Sequence, residues 1–239
     1  MFCAVMAGGI GSRMNGAVPK QFIELGGIPV LVHTLRHFTE YGGFDGIAVA
    51  SPAEHMEQTE RIIAGYFPHK GITVVQGGKN RNCSLLNVCR YIRSAFGAGA
   101  GDIIVTHDAV RPFINSRIIE QGIRAARSCG AANTVMPAVD TIVRSTDGVT
   151  AHSVPDRNEL FRVQTPQTFD FAALFDVIDA ASDEDMERYT DACGLYMTAG
   201  RQVALVRGGE QNIKLTTPFD LITAQAFLDG EKADKTQQQ

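Results

Sequence analysis

Much that would place a chain in a familiar class is missing from this sequence of 239 residues. It has no run of roughly eighteen apolar residues, so no membrane span is predicted. No basic leader precedes an apolar stretch at its start, and we expect a cytoplasmic protein. The five cysteines are scattered and form no Cys-x-x-Cys pair, which argues against a disulfide framework or a zinc site. The net charge of −4 offers no general basic surface for nucleic acid.

Familiar nucleotide and catalytic fingerprints are also absent. The glycine-rich stretch at residues 8–11 is not followed by Gly-Lys-Ser/Thr, so it is not a Walker loop. Met14 stands where the dinucleotide fingerprint has its third glycine, which argues against a nicotinamide-dependent reductase. No Gly-x-Ser-x-Gly sequence occurs, so no nucleophile elbow is predicted.

What the chain does contain is a regular alternation of strand-like and helix-like segments. Near-continuous apolar strands between helices predict a mostly parallel sheet that is covered on both faces. We expect one α/β domain over residues 1–229, followed by a flexible polar tail over 230–239. The predicted strands are 2–7, 46–50, 72–76, 102–106, 133–139 and 202–207. The predicted helices are 29–41, 53–66, one after Gly78, 115–129, 171–181, 190–199 and 220–228.

The first strand runs into the stretch that is richest in possible chemistry. Gly8 and Gly9 follow it directly, and bare backbone amides there could approach a ligand closely. Arg13 and Lys20 add two cations, and amides combined with positive charge suit a polyphosphate. On the glycines alone, a strand-to-helix turn without a ligand explains the pattern as well.

Two further stretches follow predicted strands, where ligands bind in such sheets. Gly77 and Gly78 lead into a helix with Ser84 near its start, which suits either a nucleotide contact or a simple helix cap. Asp108 follows an apolar strand, so it is well placed to hold Mg²⁺, with Arg111 facing the same space. The alternative is that Asp108 and Arg111 form only a structural ion pair.

The second half of the chain adds an insertion and more cations. Two extended runs flank Asp147 and Gly148, and they predict a β-hairpin within an insertion at about residues 139–156. Arg157 and Lys214 lie near predicted loops, although isolated surface cations are usually only solvated. Together with the earlier cations and Asp108, they suit the meeting of two phosphorylated reactants.

In these stretches the chain resembles the cytidylyltransferases that couple CTP to a sugar-alcohol phosphate, from Ala4 to about Phe227. The resemblance implies a Rossmann-like, GT-A-like nucleotidyltransferase fold, Mg²⁺ as cofactor, and a β-arm through which two subunits form a homodimer. Its motifs are Ala7-Gly8-Gly9-x-Gly-x-Arg13-Met14, Pro19-Lys20-Gln21, Gly77-Gly78 through Ser84, His107-Asp108-Ala109-x-Arg111-Pro112, Asp140-Thr141, Asp156-Arg157-Asn158, Gln164-Thr165-Pro166-Gln167, Thr190-Asp191 and Asn212-Ile213-Lys214.

The resemblance also implies roles for individual residues. Those implied to act in catalysis are Arg13, Lys20 and Lys214. Those implied to hold the nucleotide are Ala7, Gly8, Gly9, Gly11, Gly78, Ser84 and Asp108, the last also as the Mg²⁺ ligand. Those implied to surround the second substrate are Arg111, Thr141, Arg157, Thr165 and Lys214. Thr141 and Arg157 are expected to act in the partner subunit's site.

The acceptor is less clearly indicated than the reaction. One branch of these enzymes acts on 2-C-methyl-D-erythritol 4-phosphate and the other on D-ribitol 5-phosphate. Gly8, Lys79 and Val110 depart from what is usual in the first branch, and with Thr106 and Phe113 they resemble the ribitol phosphate branch. The sequence therefore favours D-ribitol 5-phosphate, with methylerythritol phosphate as the alternative. A non-catalytic nucleotide-binding assembly module is the alternative of another class.

Overall fold

The computed structural model describes residues 1–9 and 18–237, with side chains up to residue 230. Gly11 and Arg13, which were predicted to be site residues, lie outside the described residues. The strands are β1 Phe2–Met6, β2 Glu24–Leu25, β3 Ile28–Pro29, β4 Gly46–Ser51, β5 Ile72–Gln76, β6 Ile103–Asp108, β7 Ala131–Pro137, β8 Phe161–Asp170 and β9 Ala204–Arg207. The α-helices are α1 Val30–Tyr41, α2 Met56–Tyr66, α3 Arg81–Phe96, α4 Ser116–Cys129, α5 Phe171–Ala180, α6 Asp183–Arg188, α7 Ala192–Thr198 and α8 Pro218–Gln237.

Seven of these strands form one sheet in the order β5-β4-β1-β6-β8-β7-β9. Every neighbouring pair is parallel except the two that involve β8, which runs antiparallel to both β6 and β7. The predicted mostly parallel α/β sheet is therefore confirmed. Because β1 lies between β4 and β6, the carboxyl ends of these three strands meet in the middle of one sheet edge.

The alternation of side chains along β1 shows why helices cover both faces. Phe2, Ala4 and Met6 point into a core formed with α3, α5 and α7. Cys3 and Val5 point into a second core formed with α1, α2 and α4. A strand that buries both its faces is typically apolar throughout, as this one is. None of the described helices is long and apolar enough to cross a membrane.

Besides the short strand pair β2 and β3, two elements were not predicted from the sequence. The first is β8, whose buried residues Thr165, Gln167 and Thr168 are polar, so the strand lacks the apolar signature of its neighbours. Hydrogen bonds help two of these side chains to tolerate burial: Thr165 Oγ1 accepts from the Asp108 amide, and Gln167 Nε2 donates to Asn133 Oδ1 at 3.1 Å. Thr168 Oγ1 has no partner among the described residues. The second is α6, a six-residue helix whose only buried side chain is Met186.

The predicted β-hairpin within Asp140–Val154 is wrong in its details. The segment between β7 and β8 is exposed, and its regular pairing is limited to one isolated antiparallel bridge between Arg144 and Ser153. At its tip the Asp147 carboxylate accepts hydrogen bonds from Ser145, Val149 and Thr150, which close a turn instead of extending two strands. We call residues 139–156 the arm.

The end of the chain also differs from the expectation. The last helix was predicted to end at Leu228, but α8 continues to Gln237. Most of the stretch predicted as a flexible tail, 230–239, is therefore helical in the backbone. The helix begins at Pro218, slightly before the predicted start at Asp220. A proline at the first helical position has no amide hydrogen that needs a partner.

Candidate active site

Strand register brings the glycine-rich stretch after β1 next to the acidic stretch at the end of β6. Met6, the last residue of β1, pairs with Asp108 at the end of β6. Beyond these residues, Gly8 and Gly9 are exposed, and a Cβ atom added to Gly9 would meet none of the described residues within 4 Å. Ala7 itself is buried, and its amide donates to Ala50. The exposed backbone that a ligand can approach is thus that of the two glycines.

The Pro19–Phe22 turn returns the chain to the end of β1. Buried Gln21 donates from Nε2 to the Ala7 carbonyl oxygen at 2.8 Å. This bond fixes the short 3₁₀ turn over Lys20–Phe22 beside the glycines. Lys20 Nζ donates to the Thr216 carbonyl oxygen at 3.1 Å. Lys20 therefore lies beside the loop that carries Lys214.

The second glycine turn is held by the residues that begin α3. The Gly78 amide donates to Ser84 Oγ at 2.9 Å, and Ser84 Oγ donates to the Asn80 carbonyl at 2.8 Å. A Cβ on Gly78 would lie 2.5 Å from the Cβ of Cys83, so only glycine lets the loop pass this close to the start of α3. The Ser84 hydroxyl thus shapes the loop at the same time as it lines the cleft.

Asp108 is the centre of the site and is buried among three cations. Its Oδ1 atom is 3.2 Å from Nε of Arg81. Its Oδ2 atom is 3.0 Å from Nζ of Lys214 and 3.5 Å from Nε of Arg111. We call these four residues the Asp108 cluster. Three positive charges around one carboxylate leave a net positive site, which suits anionic ligands.

The charge state of Asp108 follows from this arrangement. Burial by itself raises the pKa of a carboxyl, but attraction to Arg81, Lys214 and Arg111, with the hydrogen bond from Lys214, more than offsets it. The pKa of Asp108 therefore lies well below its usual range, and the group is ionised throughout the physiological pH range. Desolvation lowers the pKa of Arg111, but an arginine stays protonated.

Loop 209–216 is fixed to the residues that follow β6 by two hydrogen bonds, one from a backbone amide and one from a side chain. The Leu215 amide donates to the Val110 carbonyl at 2.9 Å, and Arg111 Nη1 donates to the Asn212 carbonyl at 2.8 Å. These bonds explain how Lys214, from late in the chain, reaches Asp108. They also bury the Arg111 guanidinium between the two loops.

His107 and Thr165 form a buried support beneath the cluster. The Asp108 amide donates to Thr165 Oγ1, and Thr165 Oγ1 is 3.1 Å from His107 Nδ1. Because the Arg111 carbonyl can only accept, the proton of His107 is on Nε2, 3.1 Å from that oxygen. Nδ1 then accepts the Thr165 hydroxyl proton. Burial lowers the pKa of His107 to about 3, so the ring is neutral.

Two cavities meet at the Asp108 cluster. The first is about 250 Å³ and is lined by Met6, Gly8, Gly9, Gly78, Lys79, Asn80, Arg81, Ser84, Asp108, Val110 and Lys214. The second is about 170 Å³ and is lined by Arg81, Asp108, Arg111, Val163, Gln164, Thr165, Gln167, Thr190, Asp191 and Lys214. Arg81, Asp108 and Lys214 border both, so two ligands could meet across them.

Most of the sequence-predicted residues converge on these cavities. Those that line one or both are Gly8, Gly9, Gly78, Ser84, Asp108, Arg111, Thr165 and Lys214. Ala7 and Lys20 lie beside them, at the Gln21 turn. Thr141 lies on the exposed arm and Arg157 directly after it, and in this subunit neither lines either cavity; Arg157 Nη1 donates instead to the Val139 carbonyl at 3.1 Å. Their role in a partner's site stays a prediction.

Sequence reasoning assigned no role to several residues of the site. Arg81 is the main omission, although it follows the glycine pair closely and begins a helix. Thr190 and Asp191 belonged to a recognised motif but received no role, and they line the second cavity. The only signal in the sequence was their position beside other motif residues. That position does not assign a role, because polar side chains at the start of a helix are common without any ligand.

The predicted magnesium site can be tested against these contacts. Among residues 1–9 and 18–237, no group of three or more His, Cys, Asp or Glu side chains is placed to hold a metal ion. Both oxygens of Asp108 already contact cationic side chains. Mg²⁺ in nucleotide sites takes few protein carboxylates and otherwise uses phosphate oxygens and water. The donor set therefore fits an ion carried by a triphosphate, and it does not form a self-sufficient metal site.

A mostly parallel α/β sheet with a cationic cleft at its carboxyl edge is the arrangement of a nucleotide-binding transferase. The chain matches the family model of IspD, 2-C-methyl-D-erythritol 4-phosphate cytidylyltransferase, over residues 1–230, and it belongs to this family. It is accordingly a CTP-dependent cytidylyltransferase. Members of this family bind CTP and a sugar phosphate.

Solved structures agree with this assignment. A 4-diphosphocytidyl-2C-methyl-D-erythritol synthase from Anaerococcus prevotii is 28% identical, with a TM-score of 0.80 over 95% of each chain. The 2-C-methyl-D-erythritol 4-phosphate cytidylyltransferase from Thermus thermophilus is 28% identical, with a TM-score of 0.72 over 94% of this chain and 97% of that one. The Francisella tularensis enzyme is 26% identical, with a TM-score of 0.78 over 93% and 97%.

Proposed function

We propose that this cytidylyltransferase joins the cytidylyl group of CTP to a sugar-alcohol phosphate and releases pyrophosphate. The observation that carries the proposal is the position of Arg81, Asp108 and Lys214 on the wall that both cavities share. The first cavity, with its exposed glycine backbone, would take the nucleotide. The second would take the acceptor. The group that passes between them would then lie against the three shared side chains.

The chemistry requires little more than positioning and charge. An oxygen of the acceptor phosphate attacks the α-phosphorus of CTP, a new P–O bond forms, and the bond to the pyrophosphate oxygen breaks. The attacking phosphate is already ionised, so neither a protein nucleophile nor a strong base is required. Two anions must approach each other, and Lys20, Lys214 and Arg111 would offset their repulsion. Asp108 would hold a magnesium ion arriving with the triphosphate, which would neutralise charge on the leaving pyrophosphate.

The first candidate for the acceptor is 2-C-methyl-D-erythritol 4-phosphate. The family model bears the name of that reaction, and the similar structures from Anaerococcus, Thermus and Francisella carry equivalent names. This support reverses the preference that the sequence motifs gave. The product would be the cytidine diphosphate derivative of methylerythritol, on the route to isoprenoid precursors.

A specific observation favours D-ribitol 5-phosphate as the second candidate. Gly8, Lys79 and Val110, the residues that depart from the methylerythritol branch, all line the first cavity. Lys79 Nζ contacts Asp183 at 3.2 Å and Glu187 at 3.1 Å, so its charge is directed toward α6. Both branches use CTP, so residues in the cavity proposed for the nucleotide support this candidate by resemblance to the ribitol phosphate branch, and not by a contact with the acceptor. The product would be CDP-ribitol, a precursor for cell-wall or capsule polymers such as teichoic acid.

One assay tests both acceptors. Pyrophosphate release is measured with CTP and Mg²⁺ and with each alditol phosphate in turn, in the wild type and in Lys214→Ala as an inactive control. We expect a kcat/KM for methylerythritol phosphate that is at least tenfold above that for ribitol phosphate. The opposite ratio would establish ribitol phosphate instead. Release with neither acceptor would contradict both proposals and favour a non-catalytic nucleotide-binding module.

We also propose that the arm joins two copies of the chain into a homodimer. Val139, Val143, Val149 and Val154 on the arm are all more than half exposed, an apolar surface that a second copy would cover. If Thr141 and Arg157 complete the partner's site, mixing inactive Arg157→Ala with inactive Lys214→Ala should restore activity at hybrid dimers. Unrestored activity in a mixture shown to exchange subunits would contradict this arrangement.

A further inference from the structure

Arg81 is the one member of the Asp108 cluster whose buried hydrogen-bond donors are left unused. It is the first residue of α3, and its Nε donates to Asp108 Oδ1 at 3.2 Å. Its Nη1 and Nη2 atoms are buried and have no hydrogen-bond partner among the described residues. Burying a charged group with unpaired donors is unfavourable, so an arrangement of this kind calls for a further partner.

The other two cations of the cluster differ from Arg81. Arg111 Nη1 donates to the Asn212 carbonyl at 2.8 Å and its Nε donates to Asp108 Oδ2, so two of its nitrogens are paired within the protein. The Lys214 side chain is nearly half exposed, so water can serve its ammonium. Only Arg81 among the three thus combines a fixed orientation with unsatisfied nitrogens.

The position of Arg81 indicates what the missing partner is. The side chain borders both the glycine-lined cavity and the cavity lined by Thr165 and Thr190. In cytidylyl transfer, the α-phosphoryl group is the part that first belongs to the nucleotide and then to the acceptor. Two parallel guanidinium nitrogens match two oxygens of a phosphoryl group in geometry and charge.

We infer that Arg81 is a substrate-binding residue whose Nη1 and Nη2 bind oxygens of the nucleotide α-phosphate while Asp108 holds Nε. The inference rests on the cytidylyl transfer that the family defines and is independent of which alditol phosphate is the acceptor. Asp108 then does more than balance charge, because its contact with Nε also fixes the orientation of the Arg81 guanidinium plane.

The direct test compares two ligands that differ only in the phosphate. Binding of CMP and of cytidine is measured by calorimetric titration in the wild type, in Arg81→Met and in Arg90→Met. Arg90 is a matched control, since it lies on the same helix and pairs with Asp179 at 2.7 Å on the surface. We expect Arg81→Met to weaken CMP binding by about 10- to 100-fold, the scale of losing a charged hydrogen bond, and to change cytidine binding less than threefold. Arg90→Met should change neither.

Other outcomes overturn the inference. Equal weakening of both ligands would mean that Arg81 acts only by holding the site in shape. Unchanged CMP binding, or a wild type that binds CMP no better than cytidine, would also exclude the contact. If Arg81→Met does not unfold cooperatively, Arg81→Lys decides, because it keeps the charge beside Asp108 but loses the paired nitrogens. Its CMP affinity should fall at least about fivefold, and wild-type affinity would refute the inference.

Turnover gives a second readout that is separate from the choice of acceptor. With whichever acceptor supports pyrophosphate release in the wild type, Arg81→Met should lower kcat by about 100-fold, as when one preorganised donor is lost from a transition state. An unchanged kcat would contradict the α-phosphate contact. If neither acceptor is used by the wild type, the proposed acceptors fail, whereas the CMP and cytidine comparison still tests Arg81.

Discussion

Nζ of Lys214 lies 3.0 Å from Oδ2 of Asp108, across the meeting point of two cavities. The lysine comes from a loop that the Leu215–Val110 backbone hydrogen bond fixes to the end of β6. The carboxylate therefore holds a nearly half-exposed lysine beside two more deeply buried arginines. Such a cluster is suited to binding anions, because the Lys214 ammonium can leave the carboxylate and contact a phosphate with little movement of its side chain.

Asp108→Asn should both destabilise and inactivate the protein. It removes the only charge that offsets Arg81, Arg111 and Lys214 within the cluster, and we expect the free energy of unfolding to fall by about 3–5 kcal/mol. Urea unfolding measures this loss, and pyrophosphate release measures activity. The control Asp179→Asn breaks the exposed pair with Arg90 and should cost at most about 1 kcal/mol. Equal effects for the two variants would contradict the central position of Asp108.

Lys20→Ala should act on rate with little effect on folding. Lys20 is held beside the site by the Thr216 carbonyl, and its charge would stabilise the triphosphate in the transition state. We expect turnover to fall by roughly 100-fold or more, the scale of losing one preorganised charge-stabilising contact. Steady-state pyrophosphate release tests this, with Lys70→Ala in the exposed turn before β5 as the control. Near-normal turnover of Lys20→Ala would rule out the role.

The two glycine turns should respond differently to alanine. At Gly78 the added Cβ would lie 2.5 Å from the Cys83 Cβ and 2.9 Å from the Cys83 carbonyl carbon, so the loop must shift. We expect Gly78→Ala to cost about 1–3 kcal/mol of stability. At Gly9 the added atom meets no atom of the described residues within 4 Å, so Gly9→Ala should keep its thermal stability. A raised KM for CTP in stable Gly9→Ala would then report close approach of the nucleotide, and an unchanged KM would exclude it.

His107 should make the fold less stable in mild acid. Its pKa of about 3 in the folded protein is below the value of about 6.5 in an unfolded chain. The unfolded state therefore binds an extra proton between these values, and stability present above about pH 6.5 is lost as the pH falls toward 3.

The variant His107→Gln isolates this contribution. Between pH 6 and pH 5, the free energy of unfolding of the wild type should fall more steeply than that of the variant, by up to about 1.4 kcal/mol per pH unit. Urea unfolding at pH 7, 6 and 5 measures both slopes. Asp108 does not complicate the comparison, because its ordinary pKa lies below this range. Equal slopes would show that His107 takes up a proton as readily in the folded protein as in the unfolded chain.

Local patterns predicted the central sheet well because its strands are apolar on both faces and are bounded by glycine and proline. They missed β8 because its buried face carries Thr165, Gln167 and Thr168, whose burial depends on partners elsewhere in the chain. They predicted a hairpin around Asp147 and Gly148, but the structure has a side-chain-closed turn with a single bridge. A turn motif gives no information on whether the residues beside it find a neighbouring strand.

The sequence by itself determined the reaction class and most of the site. Its motifs follow strands whose carboxyl ends converge, since parallel strands in one sheet share an edge. Only the tertiary structure decided the pairing of Asp108 with Arg81, Arg111 and Lys214, and the unused nitrogens of Arg81. The reason is physical: ion pairs between distant segments depend on strand order and on how loops are fixed to one another. Neither property can be read from the spacing of residues along the chain.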